Sequence, residues 1–312
     1  TSQVNQNHQV KSGFEANYYD LYNNLRQYLT PYNGSGLFPN YYHIFSHAVA
    51  AYVQDKMEFK SAIVNLGLRF EYFNPGDQVK DEKTDNPNIP GYDLLTAGAN
   101  RSPENSYSLL PRFGISFPVT DKMVFHFFYG HFFQRPDLDD VYNTVNQPIN
   151  SSQSIVGNPG LDPEETISYE VGVRQQFTTN TMLSITGFFK DIDNLTQIGR
   201  VEDNKGNVFR TYLNDTYGTV RGIEMVLNQR TGRHLSGEAS YTYQVATTTH
   251  STARGTYNNE NAFANLPGKE YPADWDQRHT FTLNVDYHFG ENEGPALMGI
   301  HPLENWNLNI LH

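Results

Sequence analysis

The sequence contains no cysteine, which removes disulfide staples and thiolate metal sites from consideration and fits an exported bacterial protein. It has no run of about 18 apolar residues, so no helix able to cross a bilayer is expected. Cations are few: 22 Lys and Arg stand against 34 Asp and Glu, for a net charge of -12. That balance argues against nucleic acid as a partner. Only 38% of the 312 residues are hydrophobic, a poor supply for two soluble cores. The opening TSQVNQNHQVKSGFE has no charged start followed by an apolar stretch, so no signal peptide is read there. Signatures of catalysis are missing too: there is no G-x-S-x-G elbow, H-E-x-x-H helix or P-loop. Glu164 and Glu165 fall on opposite faces of a strand, as do His126 and His131, which weakens any shared acid pair or metal site. DLDD at 137–140 and DID at 191–193 offer hard oxygens without EF-hand spacing, so solvated turn or strand end is their expected role. No enzyme activity, cofactor or metal is expected.

What the sequence has instead is aromatic residues and a two-residue rhythm. Tyr and Phe number 21 and 20 against 2 Trp, an enrichment suited to interfacial girdles, although a Tyr-rich soluble β protein would share it. In TISYEVGVR, Ile167, Tyr169, Val171 and Val173 share one parity and Ser168, Glu170, Gly172 and Arg174 the other. An extended chain places these sets on opposite faces. The same holds for Leu66, Leu68 and Phe70 against Asn65, Gly67, Arg69 and Glu71, and for Phe281, Leu283 and Val285 against Thr282, Asn284 and Asp286. LSGEASYTYQV (235–245) and TMLSITGFFK (181–190) repeat it. Such runs match the nine to eleven or so residues a tilted strand needs to cross a bilayer. With weaker runs at 8–18, 43–55, 111–118, 122–134, 208–229 and 304–312, about eleven strands are expected.

The links between these runs mostly alternate in length. Residues 19–42, 74–110, 135–162 and 248–275 are long, while 55–58, 119–121, 178–180 and 230–233 are short. Up-and-down barrels sort their loops this way, with short turns at the periplasmic end, whereas Greek-key sandwiches do not. Two links depart from the pattern: 290–303 is long on the short side, and 202–207 is brief on the long side. The fold expected is all-β, an antiparallel up-and-down transmembrane barrel of which this chain holds part. Val171, Tyr241, Leu283 and Val285 are then expected to meet lipid. The opposite parity assigns Arg69, Glu71, Glu170, Arg174, Glu224, Glu238 and Asp286 to the lumen, chiefly as inter-strand and barrel-to-plug ion pairs. The long links, with NYYDLYNN (17–24) and GTYNNENAF (255–263), are the better place for recognition.

Several segments carry a family likeness. GNPGLDPEETISYEVGV (157–173) resembles the GNP-x-L-x-PE segment and Tyr-Glu-x-Gly strand of TonB-dependent outer-membrane receptors. In order along the chain, HQVKSGFE (8–15), AYVQDKMEF (51–59) leading into NLGLRFEYFNP (65–75), FFKDIDNL (188–195), YGTVRGIEMVLNQR (217–230) and WDQRHTFTLNVDYHF (275–289) look like further barrel strands of that family. The match is best to its carboxypeptidase-regulatory-like, Bacteroidetes-type branch. The resemblance implies outer-membrane location, lipid as surroundings, a plug and the TonB energising complex as partners, and uptake of a scarce nutrient such as a siderophore, glycan or peptide. A passive porin or an adhesin is the alternative that periodicity alone permits. Family members carry a plug and a barrel of about 22 strands. Residues 1–312 therefore read as a single barrel segment, internal or truncated, with plug and remaining strands absent. Such an open half would leave edge groups unpaired in lipid.

Overall fold

The computed structural model describes residues 1–28, 37–76, 105–142, 155–158, 160–202, 208–230, 234–249, 270–296 and 300–312. Eleven long strands run up and down: β2 (His8–Tyr28), β3 (Leu37–Glu58), β4 (Ile63–Asn74), β5 (Ser106–Thr120), β6 (Met123–Gln134), β8 (Glu164–Gln176), β9 (Thr181–Glu202), β10 (Val208–Gln229), β11 (Leu235–Thr248), β13 (His279–His288) and β14 (Asn307–Leu311). Each pairs antiparallel with the next, so the sheet is a simple meander. Three two-residue strands complete its fourteen: β1 (Ser2–Gln3) beside β2, β7 (Ile155–Val156) parallel to β10, and β12 (Tyr271–Pro272) beside β11. A short helix, α1 (Leu138–Tyr142), follows β6.

The amphipathicity is inverted relative to a soluble sandwich. Leu66, Leu68 and Phe70 are more exposed than the intervening Gly67 and Arg69, and Val171, Ile185, Ile223, Met225 and Leu227 repeat this on later strands. A sheet that leaves its Leu, Ile and Val outside and turns Arg and Glu inward has been matched to a hydrocarbon solvent. Register carries the apolar face across the sheet, for Phe70 pairs Leu109, Tyr129 pairs Tyr169, Tyr169 pairs Phe189, and Ile185 pairs Met225. Aromatic residues gather in two bands on this face. Phe117 and Phe125 lie tilted with ring centroids 5.1 Å apart near the short turns, where Phe177 is also exposed. Tyr72 with Tyr107 at 5.2 Å and Tyr129 with Tyr169 at 5.2 Å lie toward the long links. Rings with one wet and one apolar side belong at those two levels.

One expectation about links needs correction. Residues 19–42 are not a loop throughout, because β2 and β3 stay paired from His8–Met57 up to Tyr28–Leu37. β9 and β10, by contrast, keep their expected ends and stay paired up to Glu202–Val208. Alternation fades in these upper halves because the wall no longer faces two contrasting solvents, so periodicity could not extend the strands. The brief 202–207 link is thereby accounted for: its end of the sheet rises in strand rather than loop. The long 290–303 link is tied up locally, as Glu293 Oε2 accepts from the Gly290 N–H at 2.9 Å and the Asn305 N–H donates to the Gly290 carbonyl at 3.3 Å. Asn292 within it and Asn305 just after it take positive φ, a conformation that asparagine tolerates. Most of the 74–110 link, and GTYNNENAF, lie outside the described residues.

Candidate functional site

The polar face holds the charged groups. Following register from strand to strand, Lys11, Gln54, Gly67, Arg112, Gly130, Ser168 and Lys190 form one row. Lys11 and Arg112 are exposed on that face and Lys190 is half-buried. None of these three cations forms an ion pair among the described residues. Arg112 lies 4.6 Å over the Phe132 ring and Lys190 5.8 Å over Phe188, so each is positioned by an aromatic face rather than neutralised by a carboxylate. One position further toward the long links, Arg69 is neutralised: its Nε donates to Glu71 Oε1 at 2.5 Å, and Nη2 lies 3.6 Å from Glu15. Arg135 sits over Phe73 at 5.7 Å and Tyr19 at 5.9 Å, donating to the Tyr19 hydroxyl at 3.3 Å.

All seven residues singled out from parity fall on this polar face, but they do not converge. Only Arg69 and Glu71 meet. The Ser168 hydroxyl donates to Glu170 at 3.4 Å, Arg174 Nε donates to Ser184 Oγ at 3.3 Å, and Asp286 accepts from Asn309 at 2.9 Å. Glu224 and Glu238 stand opposite Thr242 and Asn284 in register, without a charged partner among the described residues. Sequence reasoning passed over Lys11, Arg112 and Arg135. The signal for Arg112 was present, since Phe113, Ile115 and Phe117 fix the apolar parity of β5 and leave Arg112 on the other. Stacking on aromatics across strands leaves no such trace.

At the long-link end, two links fold back against this face. Asp137 Oδ1 accepts from the Asp139 N–H at 3.0 Å, which makes DLDD a helix start rather than a solvated turn. The helix delivers Val141 and Tyr142 into a buried cluster with Ile44, Leu161, Ile198 and Tyr212. The Tyr142 hydroxyl donates to the Pro75 carbonyl. Beside it Gly76 turns with φ 83°, its N–H held by Asn74 Oδ1 at 2.6 Å. Asn158, from GNPGLDPE, is the second anchor: its Nδ2 donates to the Tyr212 carbonyl at 2.8 Å, its Oδ1 accepts from the Gly160 N–H at 2.9 Å, and its N–H donates to the Asp140 carbonyl at 2.9 Å. Asp162 and Asn214 then exchange bonds at 2.7 and 3.0 Å. The motif therefore works as a latch that fastens the link between β7 and β8. Burial raises the Asp140 carboxyl to about 6, with the neighbouring Asp137 adding to the effect. On the other side, Ala273 packs against Val220 and Ala246, and the Ala246 N–H donates to Asp276 at 2.8 Å. That bond, with Arg278, holds Asp276 below the usual carboxylate range.

A polar, charged wall crossed at one end by folded-back links, with an apolar outer surface, is the wall of a filled transmembrane barrel. The comparisons agree. The chain is similar in fold to the FrpB iron transporter from Neisseria meningitidis, at 14% identity and TM-score 0.53, covering 92% of this chain and 39% of that one. It is similar to the outer membrane transporter YddB from Escherichia coli at 13% identity and TM-score 0.59, covering 90% and 37%. To the ferric-catecholate import receptor Fiu from E. coli K12 the figures are 18%, 0.55, 90% and 39%. This chain thus spans about two fifths of these proteins' length. No curated protein sequence matches it significantly. The family model for the TonB dependent receptor-like β-barrel matches residues 1–311, and the chain belongs to that family.

Proposed function

We propose that this chain is the part of a Gram-negative outer-membrane receptor wall that faces a plug domain and a nutrient, and that the full-length protein imports that nutrient with energy supplied through TonB. The observation that carries the reading is the inverted sheet: hydrocarbon-facing Leu, Ile and Val outside, and Lys11, Arg112 and Lys190 unpaired on one row inside. Three uncompensated cations in a confined lumen favour a negatively charged cargo, whether siderophore, acidic glycan or peptide. The other seven charged residues, Arg69, Glu71, Glu170, Arg174, Glu224, Glu238 and Asp286, serve the wall itself and its contacts with the plug. The long-link end faces the cell exterior, and the turns at 178–180 and 230–233 face the periplasm.

The test is growth of an outer-membrane uptake mutant carrying the full-length gene on limiting nutrient, with and without a working TonB. Growth that requires TonB is expected. Growth indifferent to TonB would favour the passive porin, and surface binding without growth the adhesin.

A further inference from the structure

Two pairs of strands rise past their neighbours at the long-link end. β4 leaves β3 at the pair His47–Asn74, and β8 leaves β9 at Glu165–Asp193. Beyond those levels β2–β3 and β9–β10 run on as raised hairpins, to Tyr28–Leu37 and Glu202–Val208. In sheet order β4, β5, β6 and β8 stand between them, which is roughly five strand spacings, or about 24 Å of wall. The hairpins therefore do not meet along the sheet. They meet through the buried cluster: Leu21 and Ile44 come from the first, Ile198 and Tyr212 from the second, and Val141, Tyr142 and Leu161 pack among them.

Within this bridge Asp140 is the group out of place. It is half-buried, next to the buried Val141 and Tyr142. Its carboxyl faces Asp137 and Asp139 of its own segment, Glu164 at the head of β8, and the Tyr212 hydroxyl of β10. β3, β7 and β9 present Ile44, Ile155 and Ile198, which carry no charge. The exposed Asp162 is held through its backbone by Asn214. Arg135 lies over Phe73 and Tyr19, and Arg210, two residues from Tyr212 on the same face of β10, is outweighed by the three carboxylates. A neutral carboxyl fits such a place, whereas an ionised one is a further negative charge partly out of water. Burial and the neighbouring Asp137 accordingly raise the group from 3.8 to about 6. Its support for the folded bridge is complete below the ordinary value and is lost as pH rises through the raised one.

We propose that α1 and the Asn158 latch form a proton-controlled strap, which clamps the two raised hairpins together in acid and frees them as the medium turns neutral. The Asn158 N–H donates to the Asp140 carbonyl, so loosening of α1 reaches Asn158 and its side-chain bonds to the Tyr212 carbonyl and the Gly160 N–H. Tyr142 carries the same loosening to Pro75 at the top of β4. That the strap lies at the exterior mouth rests on the membrane reading above; the clamp rests on the cluster.

Hydrogen exchange of the full-length receptor in lipid vesicles tests it, read by mass spectrometry at about pH 4.5 and about pH 7.5 and corrected for intrinsic rates. Amides at 137–142, and those of the hairpins at 19–24, 41–46, 196–200 and 208–213, are expected to exchange about fivefold faster at the higher pH. The wall amides of β5 and β6 should keep their rates. Asp140→Asn should hold strap and hairpins slow at both values. Glu164→Gln keeps an acceptor for the Thr196 N–H and removes a neighbouring charge, so it should shrink the response. Heat-modifiable migration checks folding, and if Asp140→Asn does not fold, Glu164→Gln decides. Rates indifferent to pH in the wild type would overturn the switch, and loosening of 137–142 without the hairpins would overturn the clamp. A response that persists in folded Asp140→Asn would overturn the proposal as well, passing it to groups such as His43 and His47 on the other face of β3. Fast exchange of the β5 and β6 wall at both values would instead count against the membrane reading, with the strap still judged by its own amides.

Discussion

Replacing Leu283 by Arg tests which face of the sheet meets hydrocarbon. Leu283 is central in the ten-residue β13, opposite Ala239 and on the face of Phe281 and Val285. An Arg there sits near the midplane with no acidic neighbour across the strand pair, and should cost about 2 to 4 kcal/mol. The adjacent Asn284→Arg turns to the polar face, where Glu238 stands directly opposite. A new cross-strand pair there should contribute roughly 0.2 to 1 kcal/mol. The two variants differ by one residue and carry the same charge, so net charge and chain length cancel in the comparison. Urea unfolding of the full-length receptor in lipid vesicles, followed by tryptophan fluorescence and heat-modifiable migration, measures both. Equal destabilisation by the two, or the larger loss at Asn284, would refute the face assignment.

The other predictions concern the latch and the cation row. The Asp140 carboxyl is raised to about 6 in the folded state, so its contribution to stability is full below its ordinary pKa near 3.8 and is lost as pH rises through about 6. Because the group is half-buried, solvent screening leaves on the order of 1 kcal/mol of this, so Asp140→Asn should protect the latch at neutral pH and flatten the pH dependence of hydrogen exchange at Val141 and Tyr142. A Cβ at Gly76 would meet the Phe45 carbonyl oxygen, and its φ of 83° disfavours any side chain, so Gly76→Ala should cost about 1 to 3 kcal/mol and increase proteolysis at the long-link end. Asn158→Ala should remove the side-chain bonds to the Tyr212 carbonyl and the Gly160 N–H, costing about 1 to 3 kcal/mol with the same proteolytic signature. Neutralising Lys11 and Arg112 together as Gln should weaken nutrient binding and its salt dependence while leaving the unfolding midpoint little changed; a binding curve identical to wild type would remove the cation row from the account.

The strand count, the meander order and both faces were legible because a wall between lipid and a wet lumen imprints a period of two on every residue that crosses the bilayer. Val171 and Leu283 could be assigned from parity alone. Toward the long links both faces are wet, the imprint fades, and the upper halves of β2 and β3 were unreadable although they are regular strand. The latch was invisible for a different reason. Asn158 and Tyr212 are 54 residues apart when they bond, and a short Pro- and Gly-rich stretch reads as turn wherever its tertiary partners lie. Arg221 shows the limit of parity, for it breaks the apolar series of β10.

The account rests on the inverted sheet, and site-directed spin labelling along β10 tests it most directly. The chain has no cysteine, so single cysteines at 223 through 228 give unique labels within it in the full-length receptor reconstituted in lipid vesicles. Labels at 223, 225 and 227 should be relaxed by oxygen dissolved in the bilayer, and labels at 224, 226 and 228 by a water-soluble nickel chelate, with strict alternation. The opposite phase, or no two-residue period at all, would contradict the account.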